Sequence, residues 1–142
     1  MQNENCVFCK IVSGKVPARV LMQNDRAVAM LDAFPLAPGH TLVIPKSHYA
    51  KVQDMDEQGA MAVFEIVWKI VDAVEAGSHV NASTIAVHNG IEAGQEIPHV
   101  HVHIVPRKKG DGEAAIHSMF KGRPQLSGHE MDSLCNEILG NL

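Results

Sequence analysis

The run His99-Val100-His101-Val102-His103-Ile104-Val105-Pro106 alternates strictly between imidazole and aliphatic side chains before it reaches proline. In an extended strand successive side chains point to opposite faces, so residues two apart share a face. Read as a strand from His99 to Val105 ended by Pro106, the run lines one side with three imidazoles and anchors Val100, Val102 and Ile104 in a core. Three readings suit such a row. It can be a histidine-rich solvated face, it can present nitrogens to zinc, or a neutral imidazole in it can attack phosphorus as a nucleophile.

Working outward, the 142 residues are of single-domain size and can bury a real core. Apolar residues make up 46% and charged residues 20%, as in ordinary globular proteins. A net charge of −4 supplies no broad positive field, which argues against nucleic acid as a partner. Residues 1–5 lead into no basic and apolar signal segment, and no apolar run reaches the roughly 18 residues of a membrane span, so a cytoplasmic protein with no membrane partner is expected. The three cysteines, Cys6 and Cys9 as C-x-x-C and Cys135 alone, suit a reducing compartment better than a disulfide framework.

No repeat or linker interrupts the chain, which reads as one domain over residues 1–142. A short helix is expected at 7–12, and strands at 20–22, 27–31, 41–44 (stopped by Pro45) and 84–87. A long helix at about 55–76 carries Ala60, Val63, Phe64, Val67, Ile70, Val71 and Val74 on one face, with Asp54 and Glu57 as a capping pair and Gly77 as its stop. Ile66 and Trp68 fall outside that stripe, so they mark either a dimer face or stray exposed residues. A capping box Ser127-x-x-Glu130 opens a final helix with Met131, Leu134, Cys135 and Ile138 on one side. The sum is an α+β fold, about five antiparallel strands packed on one long helix with short terminal helices. For the C-x-x-C pair, chance, a redox motif and half a zinc site remain open; the redox reading lacks a surrounding β-α-β pattern.

Cys6-Val7-Phe8-Cys9-Lys10-Ile11-Val12, Val16-Pro17-Ala18, Leu31-Asp32, Ala37 to Lys46, Ala93-Gly94-Gln95-Glu96 and the triad with Pro106-Arg107 together resemble the histidine triad (HIT) superfamily of nucleotide hydrolases and transferases. The resemblance implies a HIT-like fold and cleavage at the α-phosphate of a purine nucleotide conjugate, either a dinucleoside polyphosphate or a nucleoside phosphoramidate. His101 would attack phosphorus, a covalent nucleotidyl-histidine would form, and water would hydrolyse it. One ring nitrogen of His101 must then be unprotonated and the other held as N–H by a backbone carbonyl. The resemblance also casts His103 as a binder of phosphate oxygens, His40 as a further catalytic histidine and Asp32 as the partner of the ribose hydroxyls. Val7, Phe8, Ile11, Val16 and Leu42 would wall the base, and Gln95 and Glu96 would lie along the phosphate.

Three departures stand out. Many members carry Asn or Gln eleven residues before the triad; here His88 stands there, followed by Asn89, and either could serve the phosphate. Glu96 occupies a place where two branches have Ser or Thr, so its backbone N–H rather than its carboxylate would meet phosphate. The chain also lacks the Trp-Gly ending of the phosphoramidase branch. Bacterial-type members imply that His48 and His99 complete a structural zinc site with Cys6 and Cys9, and the family is commonly homodimeric. Two rivals remain: a metal-dependent hydrolase built on His99, His101 and His103, and a nucleotide-binding interaction protein without turnover.

Overall fold

A computed structural model describes residues 3–120 and 122–142. Runs rich in β-branched and aliphatic residues form the strands β1 (Val20–Gln23), β2 (Ala27–Leu31), β3 (Thr41–Pro45), β4 (Ala82–Ala86) and β5 (Val102–Arg107). They make one antiparallel sheet in the order β1-β2-β3-β5-β4. The helices are α1 (Val7–Val12), α2 (Glu57–Gly77) and α3 (Gly128–Leu139). The α+β architecture read from the sequence, five antiparallel strands with one long helix, is the one observed.

Cross-strand partners share a face, and the register therefore sorts the sheet into two sides. Ala29, Val43 and Val102 are successive partners, and with Ala27 and Ile104 they pack against Val63, Ile66, Val67, Ile70 and Val74 of α2. Met30, Leu42 and His103 are partners on the opposite side, where Val28 and Ile44 meet Cys6, Phe8 and Cys9 at the start of α1. One face is thus committed to stability, and the other carries the imidazoles beneath a six-residue helix. Gly39 shapes the approach to β3: its φ is +85°, and a Cβ there would overlap the Ser78 hydroxyl.

Several sequence expectations shift. The strand expected from His99 begins at Val102, because the N–H of Val100 goes to the Tyr49 carbonyl and that of His99 to the Ile97 carbonyl, so no ladder forms until Val43 faces Val102. Pro106 lies inside β5 rather than ending it. Beyond Ile104 the strand pairs with β4 alone, and a proline costs no bond on the vacant side. The cap of α2 is Asp56, which accepts from the Gly59 N–H at 2.6 Å, while Asp54 caps the preceding short turn at Lys51. Ile66 is buried at 1% exposure, so it belongs to the core stripe; Phe64, expected there, is half exposed. Met61, Phe64 and Trp68, at i, i+3 and i+7, form the outward apolar stripe of α2.

The chain divides into two compact units, Met1–Lys109 and Gly110–Leu142, where the sequence reading has one domain. The first holds the whole sheet. In the second, the expected capping box opens α3, with Ser127 N–H donating to Glu130 Oε2 at 2.7 Å. Its apolar face of Met131, Leu134, Cys135 and Ile138 is exposed.

Candidate active site

His101 sits just before β5, 7% exposed, its ring 5.3 Å from that of Phe8 in an edge contact. Its Nδ1–H donates to the His99 carbonyl at 2.7 Å. That bond fixes the neutral tautomer and leaves the lone pair on Nε2, as a nucleophile requires. The triad continues to His103, whose ring lies 4.8 Å from that of His101. The alternation predicted for the run therefore holds for the side chains although the first three residues lie outside the strand.

His103 is the hub of a chain of imidazoles. The Leu36 N–H donates to His40 Nδ1 at 3.1 Å, so His40 carries its proton on Nε2 and donates it to His103 Nδ1 at 2.9 Å. His103 is then protonated on Nε2, and that atom is buried with no partner. A buried donor without an acceptor is costly, and it leaves this N–H able to bond an oxygen brought to the site. Asp32 Oδ2 lies 3.5 Å from His40 Nδ1, which is longer than the Leu36 bond and secondary to it in setting the tautomer. His40 is 2% exposed and its Nε2–H is directed at His103. Burial pushes its pKa down, against the raising effect of Asp32.

The third imidazole faces elsewhere. His99 donates Nε2–H to the Pro45 carbonyl at 2.9 Å and turns Nδ1 toward Cys6 Sγ at 3.4 Å, Cys9 Sγ at 3.7 Å and His48 Nδ1 at 3.3 Å. Cys9 Sγ is 3.5 Å from His48 Nδ1, and the four donor atoms lie within 4.8 Å of one another. A tetrahedral zinc with Zn–S of about 2.3 Å and Zn–N of about 2.0–2.1 Å needs N···N edges near ~3.35 Å and N···S edges near ~3.55 Å. The donor set fits that group. Burial raises the Cys9 thiol above its ordinary range, and a coordinated cation is what would hold it as thiolate. Since both nitrogens of His99 are committed on this side, His99, His101 and His103 share no three-histidine metal centre. Asp32, His40 and His103 also approach one another, but both His40 nitrogens and His103 Nδ1 are spent on the relay.

Of the residues expected to wall a base, Phe8 and Leu42 are buried in one cluster with Ile11 packed against it, Val16 is partly exposed and Val7 is exposed. Asp32 is partly exposed, with Oδ1 accepting from the Phe34 N–H at 2.8 Å. Two expected contacts are diverted. Gln95 accepts from the Gly90 N–H and donates to the Ala50 and Ile97 carbonyls, which ties two loops together and leaves no amide hydrogen for substrate. Asn89 accepts from the Val52 N–H at 2.9 Å and donates to Gln53 Oε1 at 3.0 Å. His88, by contrast, packs its ring 5.5 Å from that of His103, and Glu96 is exposed. Sequence reading expects a backbone carbonyl on His101 without identifying it as that of His99, and it misses the Leu36 N–H and the Pro45 carbonyl, because every residue type supplies them.

The hub yields a pH prediction. Burial first, then the nearby His101, His40 and His88, push the His103 pKa from 6.5 down to about 4. The unfolded chain therefore takes this proton at higher pH than the folded one, so the associated stability is present above pH 6.5 and is lost as pH falls toward 4. Urea unfolding of wild type and His103→Asn should show the slope over that window flattened in the variant. Parallel slopes would contradict the neutral, buried His103.

Residues 13–110 match the HIT domain family. The adenosine 5′-monophosphoramidase hnt1 of Schizosaccharomyces pombe is 35% identical over 94% of this chain and 96% of its own length. The adenylylsulfatase HINT3 of Arabidopsis thaliana is 39% identical over 78% of this chain and 56% of its own length. A zinc-bound histidine triad family protein from Mycobacterium smegmatis superposes with a TM-score of 0.71 at 37% identity, covering 75% of this chain and 78% of that one. With the matched segment spanning most of the chain and enclosing His40, His88 and the triad, the protein belongs to the HIT family.

Proposed function

We propose that the protein is a nucleotide hydrolase or nucleotidyl transferase that cleaves at the α-phosphate of a purine nucleotide conjugate through a nucleotidyl-His101 intermediate. The observation that carries this reading is the His101 Nδ1–H bond to the His99 carbonyl, which leaves Nε2 free beside the unpartnered Nε2–H of His103. His101 Nε2 forms the bond to phosphorus as the leaving group departs, and water then displaces His101. His103 donates to a non-bridging oxygen as negative charge grows there, and His40 keeps that donor oriented. Relatives named as a monophosphoramidase and an adenylylsulfatase support hydrolysis of this class. A pure binding module would have no use for a nucleophile held in its reactive tautomer.

The site's setting follows the same reading. Cys6, Cys9, His48 and His99 would hold a structural zinc, which would supply a fixed cation tying α1 to the segment before β5. The Zn-bound relative supports this assignment. Reduced thiols at that site suit the cytoplasm, and no described helix is long and apolar enough to cross a membrane. The outward stripe of Met61, Phe64 and Trp68 on α2 is the core of a two-fold homodimer interface.

Three outcomes are expected. His101→Gly abolishes turnover while a nucleoside monophosphate still binds, since a nucleophile acts in the chemical step alone; activity within about tenfold of wild type would contradict the covalent route. Purified protein carries one zinc per chain by elemental analysis, and the Cys6→Ser, Cys9→Ser double variant melts at lower temperature yet still accepts a nucleotidyl group on His101. Protein that contains no zinc and takes up none would refute the site. By light scattering at micromolar concentration the wild type is a dimer and Trp68→Glu a monomer; a monomeric wild type would remove the interface.

A further inference from the structure

We infer that His88 is the proton donor to the leaving group, a role that counts most when the departing atom is a basic amine nitrogen. This rests on the covalent-histidine reading above.

The argument begins with the sheet. β4 pairs with β5 so that Ala86 lies opposite His103. His88, two residues further along, shares that face and places its ring 5.5 Å from the His103 ring at an interplanar angle of 54°. The order β1-β2-β3-β5-β4 puts β3 on one flank of β5 and β4, the sheet edge, on the other. Phe8, Leu42 and Asp32 all belong to the β3 flank, either within the cluster under α1 or directly after β2. A nucleoside seated there, with its α-phosphate over His101 and the His103 Nε2–H, sends the remaining large substituent of phosphorus toward the β4 flank and His88.

The neighbouring side chains leave this role to His88. The Asn89 amide is held by Val52 and Gln53, and an amide has no acidic proton to give the departing atom. His103 and His40 donate along a fixed relay, and neither can surrender a proton without breaking it. The His88 ring is half-buried and makes no hydrogen bond among the described residues, so its nitrogens are available.

The step balances as follows. His101 Nε2 forms a bond to phosphorus while the bond from phosphorus to the amine nitrogen breaks, and that electron pair goes to the amine. The amine takes the proton of the His88 imidazolium, which is left as neutral imidazole. Water then attacks the nucleotidyl-His101 phosphorus and gives its proton to His88, and the phosphorus–His101 pair returns to Nε2. A basic amine needs that proton in order to leave, whereas a nitrophenolate does not.

The test compares an adenosine 5′-phosphoramidate of an alkylamine with adenosine 5′-(p-nitrophenyl phosphate), using wild type, His88→Gln and His88→Ala. The amide of glutamine can donate a hydrogen bond but cannot transfer a proton. Both variants should lose about 100-fold or more in kcat/KM on the phosphoramidate, and at least about 30-fold less than that on the nitrophenyl ester. Activity on the ester also reports a folded site. Equal losses on the two substrates, rescue of the phosphoramidate rate by glutamine, or no loss at all would overturn the proton-donor role while leaving the covalent reading intact. A wild type that cleaves neither substrate and forms no nucleotidyl-histidine would overturn that reading, and the role of His88 with it.

Discussion

The structure turns on His99, which is used at three points at once. Its carbonyl holds the His101 Nδ1–H at 2.7 Å, its Nε2–H is fixed to the Pro45 carbonyl at the end of β3, and its Nδ1 closes the ring of Cys6, Cys9 and His48. The residue that sets the tautomer of His101 is therefore itself pinned from both nitrogens. A displacement of α1 would reach His101 through this residue as well as through the Phe8 ring, since Cys6 and Cys9 belong to the start of that helix. Precise placement of a catalytic group commonly depends on such supporting contacts, because small displacements of reacting atoms cost much of the rate.

The sheet separates two tasks that compete in small domains. Its α2 face is built from Ala27, Ala29, Val43, Val102 and Ile104, nearly inaccessible and purely apolar, and supplies the main hydrophobic stabilisation. The other face buries His40, His99 and His101 and leaves the His103 Nε2–H without a partner, an arrangement that costs stability. The apolar face offsets that cost. The register makes this possible, because His103 and Ile104 are neighbours in sequence and yet point to opposite sides.

Much of this was legible in the residues. The alternation from 99 to 105 identified the imidazole face, the long apolar stripe identified α2, and Ser127 with Glu130 marked the start of α3. The spacing of Cys6, Cys9, His48 and His99 carried no geometric meaning by itself; the family resemblance grouped them, and the fold brings their donor atoms together. What failed had a physical cause. Ile66 was placed off the core because a strict helical stripe underestimates how wide a face a flat sheet can cover. The start of β5 was misplaced because the N–H of Val100 is captured by Tyr49, a tertiary contact with no local signal. Gln95 and Asn89 looked like substrate ligands, yet their amides hold loops together, and a side-chain amide suits either use equally well.

The account's central claim is that phosphorus is attacked twice, first by His101 and then by water. Each in-line displacement inverts configuration, so two in succession restore it, whereas direct attack by water inverts once. The decisive measurement is hydrolysis of a substrate made chiral at the α-phosphorus by sulfur and isotopic oxygen, with the product's configuration read by phosphorus NMR. Net retention is the predicted result. Net inversion would mean that no nucleotidyl-histidine forms and that the free Nε2 of His101 is not the nucleophile.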